Sequence, residues 1–145
     1  MKLDNLRSPY AKTAGLFYFA RMLDKIRLHA AGRLPAEYHA NLGGGFDERC
    51  LNFLAVNYDS LKERVSGGGT DEEILEWAYA HGRERSAEEI EVWNEFMRKR
   101  GWNDEATERL QSRLQEGGFA DRDDVQTFFD FIDLDEGRRE GRSKK

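Results

Sequence analysis

Arg27 is the first residue whose placement could carry chemistry. Leu16, Phe19, Ala20, Leu23, Ile26 and Ala30 recur at about 100° per residue, the period of one face of an α-helix. Arg27 projects into that stripe, between Leu23 and Ala20. A guanidinium among apolar neighbours cannot shed its charge, so it must find acceptors. Asp24 lies one turn back on the same helix, and Asp130 or Asp133 could reach Arg27 from a later helix. Two readings follow. One is a buried Arg–Asp pair that fixes helix register. The other is an anion site, with Arg27 facing a cavity and binding a carboxylate or phosphate. Arg21, Lys25 and His29 fall on the other, polar side of the same helix, where Asp24 or His29 could serve as acid or base.

The connection from Gly32 to Phe46 is long for a helical domain and carries Pro35, Tyr38, His39, Asn41 and Gly43-Gly44-Gly45. Segments of this kind act as lids or binding loops, or else form a short helical turn after Pro35 and a packed connector. The two glycine triplets, 43–45 and 67–69, precede helices but do not read as phosphate cradles. Asp47 and Glu48 follow one and Asp71, Glu72 and Glu73 the other, placing carboxylates where an anion would sit, and the Lys-Ser/Thr of a P-loop is missing. His29, His39 and His81 form no ligand-spaced pair. The stretch Asp133-Leu134-Asp135-Glu136-Gly137 departs from a calcium loop, because Gly137 falls at the fifth position and Arg138 at the sixth. The reading is therefore no metal and no cofactor. Cys50, beside Leu51, reads as a core thiol rather than a nucleophile.

The elements that must position these residues are punctuated clearly. A first helix is expected over 13–31, ended by Gly32. A second follows Phe46, with Asp47 as N-cap, and breaks near 57–59 before a short helix over 60–65. Thr70 with Glu73, and Ser86 with Glu89, have the spacing of capping boxes. Gly82 and Gly101 are expected to close the helices those boxes open, with Trp102 folding back onto Met97. Asn103 is expected to cap a helix to about residue 116. A last helix over 122–134 carries Val125, Phe128, Phe129 and Ile132 at helical spacing, with Asp121, Asp123 and Asp124 as first-turn charges. Trp77 and Trp93 occupy matching places in two similar segments and read as core residues of a helical hairpin. No segment alternates as a strand would, so no sheet is expected.

Composition narrows the class. The chain has 145 residues, 35% of them charged, with a net charge of −5. A chain of this length buries enough surface to form one domain unaided. Its acidity works against nonspecific nucleic-acid binding. No apolar run approaches the length of a membrane span, and one cysteine excludes an internal disulfide. The expected organisation is one helical domain over 1–136 and a basic, flexible tail over 137–145.

Several segments together resemble the bacterial domain-of-unknown-function family DUF5069. They are Leu6-Arg7-Ser8-Pro9-Tyr10, the run 21–27 (RMLDKIR), Leu42-Gly43-Gly44-Gly45-Phe46-Asp47, and the run 69–74 (GTDEEI). They continue with Trp93-Asn94-Glu95-Phe96-Met97, Lys99-Arg100-Gly101-Trp102 and Phe128-Phe129-Asp130-Phe131-Ile132-Asp133. The resemblance implies a single small domain and supplies no activity and no site residues.

The expectation is an all-α, irregular compact bundle of about six helices in the bacterial cytoplasm. Its function is read as noncatalytic binding of a small anion or an acidic partner. The candidate site comprises Arg21, Asp24, Lys25, Arg27, His29, Tyr38 and His39, with Arg33 adding positive charge. The alternative is a small-molecule enzyme using Asp24 and His29 beside Arg21 and Arg27. A protein partner could use Tyr10 or Phe17 if exposed, and self-association through an apolar helix face is a third possibility.

Overall fold

The computed structural model describes residues 4–139. Its first regular element is a two-stranded antiparallel hairpin, β1 (Lys12–Thr13) and β2 (Leu16–Phe17), with Thr13 opposite Leu16. The turn residues Ala14 and Gly15 both have positive φ, 48° and 86°. That is the backbone a two-residue hairpin needs to follow strand twist. The hairpin corrects two expectations: a sheet exists, though a minimal one, and the first helix cannot begin at Thr13.

Helix α1 instead runs Phe19–Ala30. It is buried on nearly every side, from Phe19 through Ile26. Next comes a 3-10 helix, Ala36–Asn41, starting after Pro35. Of the two readings of the 32–46 connection, this is the short helical turn. Helices α2 (Phe46–Leu54) and α3 (Tyr58–Ser66) follow, separated by Ala55 in the left-handed region and by Asn57, which caps α3 through Ser60 N–H. Helices α4 (Asp71–His81) and α5 (Ala87–Lys99) each open with a complete, reciprocal capping box, at Thr70–Glu73 and Ser86–Glu89.

The last two helices start later than expected. α6 is Thr107–Glu116, because residues ahead of it form a turn around Asp104, whose carboxylate accepts from Gly101 and Ala106 N–H. Asn103 sits in the left-handed region and does not cap the helix. α7 is Phe128–Asp135, capped by Thr127. Asp124 is therefore not a first-turn charge; it pairs with Arg122 and Arg139. Trp102 is 53% exposed rather than packed away, whereas Met97 is fully buried.

The architecture is all-α, seven α-helices and one 3-10 helix among the described residues, with the hairpin as an accessory. The main apolar cluster joins the hairpin and α1 to α2–α5 and Phe129. Within it Trp93 is buried, stacks on Phe53 and donates to the Phe17 carbonyl, whereas Trp77 is only partly buried. Tyr10 and Phe17, considered as exposed aromatics, pack edge-on against Phe129 instead. A second cluster joins α6 to α7 through Leu110, Leu114, Val125, Phe128 and Leu134. Phe46 touches both clusters. The residues 137–139 of the expected tail are folded against the body: Arg138 bonds Asp133, Glu136 and the Leu6 carbonyl. The rest of that tail, 140–145, lies outside the described residues. Among the described residues no helix is long and apolar enough to cross a membrane.

Candidate functional site

Where the two apolar clusters meet, the surface opens into a cleft of about 670 Å³, within the range of small-molecule sites. Three residues of one stripe of α1 and its entry, Tyr18, Arg21 and Lys25, form its floor. Tyr38 comes from the 3-10 helix, and Gly44, Gly45 and Phe46 from the start of α2. One wall is α7, which presents Phe128, Phe131, Ile132 and Asp135, followed by Glu136.

The floor carries two buried ion pairs. Arg21, 3% exposed, donates two parallel bonds to Glu136, at 2.9 and 2.6 Å. This bidentate geometry is the strongest that a guanidinium and a carboxylate can make. Tyr38 donates to the same carboxylate at 2.8 Å, and Arg138 at 2.6 Å. Burial by itself would raise the Glu136 pKa, but Arg21, Tyr38 and Arg138 outweigh it and hold the carboxyl below its usual range. Arg21 Nε is buried without a hydrogen-bond partner.

The second pair is Lys25 with Asp47, at 3.0 Å. Tyr18 donates to Asp47 at 2.6 Å and Lys25 to the Tyr18 hydroxyl at 3.3 Å, while Gly43 N–H reaches the other Asp47 oxygen at 3.1 Å. Burial lowers the Lys25 pKa despite the Asp47 charge. Tyr18 holds φ at 80°, a conformation that costs a bulky residue on the order of 1 kcal/mol. Its bond to Asp47 helps retain it. Gly43 holds φ at 73°, which strains any other residue, and a Cβ there would crowd the Tyr58 ring at 3.1 Å.

The rim is different. Arg109 and Arg113 lie four apart on α6, so they share a face. Arg109 lies over the Phe128 ring at 5.3 Å, and Arg49 over Phe96 at 5.1 Å. Among the described residues none of these three arginines has a carboxylate partner. Arg100, also on the rim, is shared between the Phe96 ring and Asp104. Glu37 and Glu48 supply negative charge, and Asp135 stands at the far end of α7.

The residues singled out in the sequence separate into three groups. Arg21, Lys25 and Tyr38 come together in the cleft. The first two are buried there, not on a solvated face, because Glu136 and Asp47 meet the polar side of α1. Asp24 and Arg27 belong to a second network on another side of α1. Arg7 holds Asp24 through its Nε at 2.9 Å and Asp71 at 2.7 Å, and Arg27 pairs with Asp71 at 2.8 Å. Arg27 is thus matched by Asp71 on α4, not by Asp130 or Asp133. Asp130 accepts from Tyr10, and Asp133 from Ser8 and Arg138. Opposed to the burial that would raise it, pairing with Arg7 and Arg27 lowers the Asp71 pKa. His29 and His39 form the third group, their rings edge to face at 4.8 Å, with His39 bonded to the Leu34 carbonyl. They are neighbours after all, but no group of three potential metal ligands exists among the described residues. Cys50 is buried, and burial with the nearby Asp47 charge pushes its thiol well above the usual value.

Sequence reasoning passed over Tyr18, Asp47, Glu136, Arg49, Arg109 and Arg113. A signal for the floor was present in α1 itself. Met22 and Leu28 fall outside the apolar stripe, and a helix that is apolar on several sides is a buried one. Its cations therefore needed buried partners.

The geometry defines a class: an all-helical domain with a charged cleft between two apolar clusters. The chain belongs to the DUF5069 family, a domain of unknown function, whose profile it matches over residues 4–138. A comparison with curated proteins returns no match.

Proposed function

We propose that this protein is a noncatalytic binding module of the bacterial cytoplasm that holds a small anionic molecule in the cleft. The observation that carries the reading is the rim: Arg49, Arg109 and Arg113 line a sizeable cleft without carboxylate partners among the described residues, in a chain whose net charge is −5. On an acidic protein, unmatched cations gathered at a concavity draw anions and hold them with charge-assisted hydrogen bonds. The floor acts differently. Arg21 and Lys25 are already met by Glu136 and Asp47, so they shape the cleft and the rim supplies the charge. The anion site thus moves from Arg27, whose charge Asp71 and Asp24 answer, to the rim of the cleft.

An acid–base enzyme has less support. Asp24 gives both oxygens to Arg7, and His29 stands beside His39 and outside the cleft lining.

The test is a titration of the 15N-labelled protein with inorganic phosphate and with caproate. Amide shifts are expected around Phe46, Phe128 and the first turns of α6. The double change Arg109→Gln/Arg113→Gln is expected to weaken both anions about tenfold, one charge-assisted hydrogen bond's worth. Shifts scattered over the surface, or affinities unchanged in the double variant, would refute the reading.

A further inference from the structure

The cleft is polar along its length. α7 forms one wall, and its cleft-facing residues run from Phe128 at the first turn to Asp135 at the last. Seven residues at helical rise separate those ends by about 10 Å. At the Phe128 end, Arg109 lies over the ring, one turn of α6 from Arg113. At the other end stand Asp135 and the fully matched Glu136, and Glu37 lies one residue from Tyr38, which is tied to Glu136 at 2.8 Å. Glu37 is exposed and has no ion pair or hydrogen bond among the described residues. The carbonyl end of α7 adds negative potential on that side. Between the two ends the wall is apolar, carrying Phe131 and Ile132, and Phe46 and Tyr18 also line the cleft.

Resting on the anion-binding reading above, we infer that the ligand is an extended zwitterion: a carboxylate or phosphate for Arg109 and Arg113, an apolar middle, and an ammonium for Glu37. A ligand with only an anionic end leaves the Glu37 end facing its apolar tail and forgoes an available charge-assisted hydrogen bond. A ligand with only a cationic end meets the arginines without a counter-charge. A molecule bearing both ends satisfies each, and the alkyl stretch between them buries against Phe131 and Ile132.

Three probes of matched chain length separate the terms: ε-aminocaproate, caproate and hexylamine, each titrated into the 15N-labelled protein. ε-Aminocaproate is expected to bind about tenfold more tightly than caproate, which corresponds to roughly 1.4 kcal/mol, and hexylamine not to bind in the cleft. Glu37→Gln is expected to abolish the preference for ε-aminocaproate while leaving caproate unchanged. Arg113→Gln should weaken both. Glu37 and Arg113 are exposed and have no ion-pair partner among the described residues, so these variants keep the fold, and a thermal melt verifies it. If caproate binds as tightly as ε-aminocaproate, or if the preference survives Glu37→Gln, the zwitterion inference is overturned while the anion cleft stands. If neither caproate nor phosphate binds in the cleft, the anion reading fails and takes this inference with it.

Discussion

Glu136→Gln tests the account of the floor most directly. The substitution keeps the shape of the side chain and one acceptor, but removes the charge that matches Arg21. Arg21 is 3% exposed and held at 2.6 Å, so the variant leaves a buried guanidinium without a counter-ion. Removing one partner of a buried pair costs about 3 kcal/mol or more. Each kcal/mol shifts the melting temperature of a chain this size by about 3 °C, so a fall of about 10 °C is expected. Differential scanning calorimetry near neutral pH measures it, and urea unfolding checks that the m value is unchanged. The difference must also depend on pH in a defined direction. The Glu136 pKa lies below its ordinary 4.5 in the folded protein. The unfolded chain then binds more protons between those two values, so the stability due to Glu136 is complete above about pH 5 and is lost as pH falls through the folded value. The gap between wild type and Glu136→Gln should therefore narrow in acid. A variant melting within about 2 °C of wild type, or a gap independent of pH, would refute the reasoning. Replacing both partners, Arg21→Met/Glu136→Met, should restore much of the loss, because no buried charge is then left alone.

Other expectations are simpler. Gly82→Ala should cost about 3 kcal/mol, measured by urea unfolding, because its Cβ would stand 2.1 Å from the Leu54 carbonyl oxygen and the backbone would have to move. Ser86→Ala removes the oxygen that accepts from Glu89 N–H at 3.1 Å and should cost about 1 kcal/mol in the same assay. Arg27→Met should cost about 1 kcal/mol or less, since Arg27 is 35% exposed and Arg7 still holds Asp71. It should also leave phosphate binding in the NMR titration unchanged; a clear loss of affinity would return the anion site to Arg27.

Local features of the fold were legible where one short stretch decides them. Thr70–Glu73 and Ser86–Glu89 satisfy backbone donors within a single turn, so spacing alone reveals them. The late starts of α6 and α7 were not legible, because Asp104 and Asp124 find partners at Gly101, Ala106, Arg122 and Arg139. An acidic residue in a loop and one in a first turn read alike until those partners are in place. The hairpin hid inside a helical pattern: Leu16 does enter the core, but from a strand. The site was half visible for a similar reason. A helical wheel sorts Arg21 and Lys25 away from the apolar stripe, yet it cannot say that Glu136 and Asp47 occupy that side. Residue types marked the cations, and only the packing of distant segments supplied their partners. The rim arginines on α6 carried no local signal, being spaced like any solvated helical face.

The Arg21–Glu136 pair also has a consequence for how the chain is made. Its two halves are 115 residues apart, and Arg138 adds a bond from the same late segment back to Leu6. A ribosome delivers α1 long before it delivers the carboxylate that lets the helix bury its guanidinium. Until then the first helix has reason to stay wet on that side, and the cleft has no floor. Burial of Arg21 is therefore tied to the emergence of α7 and the turn that follows it, and a nascent chain stalled short of residue 136 should expose Arg21 to solvent-borne probes that the folded domain turns away.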